Sequence, residues 1–236
     1  MTSPALNEGI AMTRIRALLL GVIALFAVVT GSAQPAAALT DPELLVENAR
    51  LTVLDLLGDP EYAAARSLSR DARAILVFPN LLKAGFILGG EGGTGVMLVH
   101  QGQGSWTAPA FYTLGGASFG LQIGGQSSQV LIIVMTEKGL NAVLDRNVTL
   151  GADASIAVGE LGGSVGAATG AALSADMYIY AKTAGLFGGL AFAGSVLAPR
   201  TSWDEAYYGN GATARAIVTE SRWHNPQAEP LQRALP

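Results

Sequence analysis

Cysteine is absent from the 236 residues, which excludes disulfides, zinc thiolate sites, iron–sulfur clusters, cysteine nucleophiles and a lipid-modified cysteine anchor. Histidine is scarce. His100 and His224 are the only two, and neither has a second histidine or an acid at metal-ligand spacing, so no metal site is expected. Charge is also sparse, at 14% of residues with a formal balance of −4, and the lysines and arginines are scattered along the chain. Binding nucleic acid takes a clustered basic surface, so no nucleic-acid partner is expected. No G-x-x-x-x-G-K-[ST] phosphate loop occurs. The glycine-rich run Gly89–Gly95 lacks the lysine and the following helix, and reads as a hairpin loop between strands. No cofactor is implied.

Glycine, by contrast, is plentiful. Thirty glycines without a triplet period, mixed with valine, isoleucine and leucine, point to many short strands with tight bends or close backbone approaches. The N-terminus is an address. Arg14 and Arg16 precede an apolar run from Ala17 to Val29, and a small-residue stretch ends in Ala36-Ala37-Ala38. That order describes a secretory signal peptide over residues 1–38, because the run is too short for the roughly 20 apolar residues that span a bilayer. The mature protein is then expected outside the cytoplasm, in a periplasm, cell envelope or extracellular space, soluble or peripheral to a membrane.

Asp41-Pro42-Glu43 opens a helix, with Leu45, Ala49, Thr52 or Val53 and Leu56 at helical spacing and Gly58-Asp59-Pro60 as its stop. A shorter helix is expected over Glu61–Arg70. Strands are expected at Ala74–Phe78 (closed by Pro79-Asn80), Phe86–Leu88, Gly95–Val99, Ser118–Ile123, Val130–Val134, Met177–Tyr180 and Leu186–Val196. Glu137–Leu144 reads as a helix capped by Thr136, Ile156–Ala172 as a stretch of low side-chain volume, and Asp204–Glu220 as helical. The expected fold is α+β: an antiparallel β-rich sheet or flattened barrel with an N-terminal helical layer and a short C-terminal helix. Residues 39–220 form a single domain, and 221–236 form a disordered tail.

The pattern Gly116-Ala117-Ser118-Phe119-Gly120 matches the nucleophile elbow of serine hydrolases, and Gly162-Gly163-Ser164-Val165-Gly166 repeats it. The elbow works only at a strand-to-helix turn. Here Leu121–Gly124 continues as strand, so no enzyme is expected.

Several segments taken in order carry a family resemblance: Pro79–Gly90, Gly93–Val96, Trp106–Phe111, Gly120–Gly124, Tyr178–Tyr180, Gly185–Leu190 and Gly194-Ser195. In these segments the chain resembles the SYLF domain, a family of lipid-binding modules whose bacterial members are exported. The resemblance implies non-catalytic binding of membrane phospholipid, through anionic headgroups in the best-known relatives. The actin role of eukaryotic members is not carried over.

Two residue sets are candidates for that contact. The strand-end cations Lys83, Lys182 and Arg200, with Arg73, would hold a headgroup phosphate if they met at one rim. Trp106 would add an aromatic edge at the interface. The N-terminal helix either inserts in a membrane or covers one sheet face; Glu43, Glu47 and Asp55 against a single Arg50 favour covering. The alternative function is a structural or assembly protein of the envelope acting through protein–protein contacts. Self-association is left open.

Overall fold

The computed structural model describes residues 42–102, 104–145, 147–159, 174–184 and 192–236, with backbone alone for 84–88 and 118–125. The expected signal peptide, Asp41, the second G-x-S-x-G pattern and most of the strand expected at Leu186–Val196 lie outside the described residues. Residues 40–236 form one compact unit.

The fold is α+β, as expected, but five of the expected strands merge into two long ones. β1 runs Ala74–Gly102 and β3 Ala110–Val134. They pair antiparallel almost throughout, from Ala74 opposite Val134 to Met97 opposite Ala110. The short β2 (Ser105–Trp106) pairs with the end of β1. On the other side of β3, β6 (Met177–Ala184) pairs with residues 127–134 and β7 (Val196–Pro199) with residues 112–115. β4 (Val148–Thr149) pairs with β7. β5 (Ile156–Val158) joins β6 in parallel, so the sheet is mixed rather than wholly antiparallel.

The sheet curls into a half-barrel because β1 bends back on itself. The His100 amide donates to the Arg73 carbonyl at 2.9 Å, and Gly93 and Gly95 lie against Asn80–Leu81 and Val77–Phe78. A Cβ on Gly93 would sit 2.6 Å from the Asn80 carbonyl oxygen, and one on Gly95 would overlap the Val77 carbonyl. The glycine run read as a hairpin loop is therefore strand, placed where two stretches of backbone approach too closely for any side chain. Pro79-Asn80 does not end the first strand either. The β1–β3 register shifts between Phe78 and Leu81, a bulge that accommodates a proline without a donor N–H.

Both faces of the sheet are covered, which explains the unbroken apolar runs Ala74–Phe78 and Val130–Val134. Alternate residues split between two cores. Ile75, Val77, Leu131, Ile133, Tyr178 and Tyr180 face one side; Leu76, Phe78, Val130, Ile132 and Ile179 face the other. The first side is covered by α1 (Pro42–Gly58), α2 (Ala63–Arg70) and α6 (Glu229–Ala234). The second is covered by α3 (Glu137–Asp145) and α5 (Ala214–Thr219). α1 buries Leu45, Val46, Ala49, Thr52, Val53 and Leu56, the expected stripe. Asp59 then stops it, its carboxylate accepting the Glu61 amide at 3.0 Å to start a 3₁₀ turn over Pro60–Tyr62. Thr136 caps α3 as expected, accepting the Gly139 amide at 3.0 Å.

Three further expectations are corrected. The helix expected over Asp204–Glu220 is two, α4 (Thr201–Tyr208) and α5, parted at Gly209, whose φ of +105° no helix accommodates. The last strand begins at Val196, after a turn at Gly194. The tail is ordered: Pro226–Ala228 forms a 3₁₀ turn and α6 follows, with Ala228, Leu231 and Leu235 buried against α1. Its polar, proline-containing sequence hid three well-spaced apolar anchors.

Candidate functional site

The five predicted residues do not converge. Lys182 follows Tyr178 and Tyr180 along β6, on the face covered by α1, and pairs in register with Gln129. Its Nζ lies 2.9 Å from Asp55 Oδ1 and 3.4 Å from Asp59 Oδ2. The Asp55 bond, more than any other contact, raises the pKa of this ammonium. Lys83 lies opposite Gln126 and shares the face of Leu81, the opposite side of the sheet. Arg73 stands before β1, with its guanidinium 3.3 Å from Glu137. Arg200 is beside Phe111, at the far end of β3. Its Nη1 donates to Thr94 Oγ1 at 2.9 Å, its guanidinium stacks 4.0 Å over the Trp203 ring, and burial lowers its pKa. Trp106 is 3% exposed, stacked with His100 at 4.8 Å, and donates its indole N–H to the Pro236 carbonyl at 3.1 Å. The expected cationic rim and aromatic edge are thus corrected to four separate cations and one core tryptophan. Lys83 and Lys182 lie on opposite faces of the sheet, and Arg73 and Arg200 flank different strands.

Ser118 sits opposite Gly89 in the middle of β3, with strand on both sides. That backbone is not the strand-to-helix turn an activated serine needs.

The structure does form a cleft around Lys182. A cavity of about 600 Å³ lies between α1 and the sheet, with the bulge residues Pro79 and Asn80 in its lining. Asn48, Leu51, Thr52 and Asp55 of α1 form one wall; Pro79, Asn80, Ser127, Gln129 and Lys182 form the other. Ser127 donates to the Asn80 side-chain oxygen. Gln129 Oε1 is buried without a hydrogen-bond partner, which is costly unless a ligand or solvent meets it. The mouth is apolar. Leu51 is 49% exposed, and Leu82, in register with Ser127, is 39% exposed. Leu44 and Leu54, 60% and 49% exposed, extend the row along the outer side of α1, at spacings that share one helix face. The sequence contained this signal: Leu44, Leu51 and Leu54 form a stripe of their own beside the buried stripe of Leu45, Ala49, Thr52 and Leu56. The partnership of Lys182 with Asp55 and Asp59 had no such signal.

Two buried acids behave oppositely, and the number of donors decides. Asp176 is opposed by burial, yet hydrogen bonds from Thr136 (2.6 Å), Lys138 (3.0 Å) and the Ser155 amide and hydroxyl (3.0 and 2.8 Å) outweigh it and hold its carboxyl well below the usual range. Asp204 is fully buried, and Oδ1 accepts only the Phe111 amide at 2.8 Å while Oδ2 has no partner. Burial pushes it up to about 7. A carboxyl with a raised folded pKa favours the fold at low pH, and that benefit is lost as pH rises from near 4 through about 7. Between pH 5 and 8 this one group is expected to cost about 2–3 kcal/mol of stability. Urea unfolding at the two pH values tests it: Asp204→Asn should flatten the difference, and an unchanged slope in the variant would contradict the assignment.

The model of the family described as "Las17-binding protein actin regulator", Ysc84, matches residues 115–236. The chain belongs to the Ysc84 family. The matched segment takes in Lys182 and Gln129 and reaches through α6. An SH3 domain-containing protein of Schizosaccharomyces pombe is 34% identical over 163 residues, 68% of this chain and 38% of its own length. LAS seventeen-binding protein 3 of Saccharomyces cerevisiae is 31% identical over 68% of this chain and 36% of its own. SH3 domain-containing YSC84-like protein 1 of Bos taurus is 30% identical over 68% and 47%. The chain therefore spans between a third and a half of the length of these relatives. The SYLF resemblance read from the sequence is this same family.

Proposed function

We propose that this protein is an exported, non-catalytic module that binds phospholipid at a membrane surface, taking the headgroup phosphate at Lys182 and resting the leucine row of α1 on the acyl boundary. The observation that carries the reading is the cleft itself: a reachable ammonium inside a polar cavity, with Leu51 and Leu82 at its mouth and Leu44 and Leu54 beside it. Large side chains left half-exposed in a row on one helix mark a contact surface, and an apolar row beside polar groups suits the bilayer interface. Among the described residues no helix is long and apolar enough to cross a membrane, so the contact is peripheral. Arg14, Arg16, the apolar run to Val29 and Ala36–Ala38 support export.

The test is co-sedimentation with vesicles of mixed zwitterionic and anionic phospholipid at low salt. Each leucine of the row is expected to contribute about 1 kcal/mol on burial, so Leu44→Ser, Leu51→Ser and Leu54→Ser together should weaken partitioning roughly a hundredfold. A protein that no vesicle composition retains sinks the proposal. One observation favours a second reading, a structural or assembly protein acting through protein contacts: the name of the Saccharomyces cerevisiae relative LAS seventeen-binding protein 3 describes binding to a protein. Light scattering that shows oligomers and no lipid affinity would select it.

A further inference from the structure

Resting on the lipid-binding reading, we infer that the Lys182 cleft takes a zwitterionic phospho-amine headgroup, of the phosphocholine or phosphoethanolamine class, in preference to an anionic one. The reason is the charge that Lys182 already keeps company with. One ammonium faces two carboxylates, Asp55 at 2.9 Å and Asp59 at 3.4 Å, both reachable from solvent. Before any ligand arrives the triad carries one net negative charge. A headgroup with only negative charge gains Lys182 and meets two like charges within a few ångströms. A headgroup that brings its own cation satisfies all three.

The arrangement of the polar groups follows the same division. The ammonium of Lys182 has three N–H donors and two protein acceptors, so one donor remains for a phosphate oxygen. The Asn80 carboxamide accepts from Ser127, leaving its NH₂ as a further donor on the phosphate side. Gln129, in register with Lys182, has a buried Oε1 with no hydrogen-bond partner, an acceptor that suits an N–H of the headgroup's cation rather than its phosphate. Within the cleft Asp55 stands one helical turn from Leu51, so a carboxylate that can pair with the headgroup's cation lies beside an apolar side chain.

Free headgroup and lipid headgroup share this chemistry, and the experiment separates them. The full chain is titrated with soluble phosphocholine, with inorganic phosphate and with choline by calorimetry. In parallel it is sedimented with phosphatidylcholine vesicles and with phosphatidylglycerol vesicles. The expected result is at least tenfold tighter binding of phosphocholine than of phosphate or choline, and greater retention on the phosphatidylcholine vesicles. Lys182→Met should lose phosphocholine binding at least tenfold. Asp55→Asn, which leaves the cation and removes one repelling charge, should shift the vesicle preference toward phosphatidylglycerol; circular dichroism confirms that both variants are folded. Equal or better retention on phosphatidylglycerol by the unaltered protein overturns this inference and leaves membrane binding standing. Phosphocholine binding without retention on any vesicle supports the cleft's specificity and sinks the membrane reading. Binding of neither sinks both.

Discussion

Gly95→Ala is expected to lower the free energy of unfolding by about 3 kcal/mol, at the upper end of what overpacking usually costs. The methyl group would overlap the Val77 carbonyl and lie 2.8 Å from Phe78 Cε1, and Phe78 is fully buried. Neither neighbour can give way, because Val77 and Phe78 are held in register with Leu131 and Val130. The control is Gly90→Ala, a few residues earlier in β1, where the nearest atom to a new Cβ is the Gly116 carbonyl oxygen at 3.8 Å. That substitution should move the urea midpoint little. Equal effects from the two would mean that β1 does not fold back on itself at Gly95.

Asp176→Ala should cost a similar amount, about 3 kcal/mol, by a different route. Its carboxylate ties two pieces together: the N-terminus of α3, through Thr136 at the cap and Lys138 in the first turn, and Ser155 before β5. Removing it leaves the Ser155 amide and two hydroxyls without their acceptor in a site only 8% exposed. The pH dependence has the opposite sign to that of Asp204. A carboxyl held low in the folded state stabilises fully above its unfolded value of 3.8, and that stability is lost as pH falls through and below it. From pH 7 down to pH 3 the gap between the unfolding midpoints of the protein and Asp176→Ala should therefore hold until about pH 4 and narrow below it. A constant gap across that range would show that the carboxylate's charge does not matter.

Much of this fold was legible because burial leaves a period in sequence. α1 announced itself by Leu45, Ala49 and Leu56, α3 by Thr136 and its apolar positions, and the central strands by unbroken runs such as Val130–Val134. The joins between strands were not legible. Gly89-Gly90, Gly92-Gly93 and Gly124-Gly125 have the composition of turns, but a glycine that permits close backbone approach within a strand looks the same in sequence as one that permits a turn. Pro79-Asn80 misled similarly, since a bulge and a strand end both accept proline. The tail failed for the converse reason: Ala228, Leu231 and Leu235 are too few to show a period, yet each is buried. At the site, Lys182 was identifiable as a strand-end cation. Its carboxylate partners were not, because they lie on α1 and just past its end, more than a hundred residues earlier. Trp106 was picked for a face it does not present; nothing in its neighbours foretold that the Pro236 carbonyl would accept its N–H.

The most direct test of the central claim uses the absence of cysteine. Leu51→Cys supplies the only thiol in the chain, and a polarity-sensitive fluorophore on it reports whether the mouth of the cleft enters an apolar phase when phospholipid vesicles are added. A blue shift at position 51, with none from the same probe at Arg222→Cys on the exposed surface beyond α5, is the predicted result. Vesicle binding that leaves the probe at position 51 in water while the probe at position 222 shifts would contradict the account.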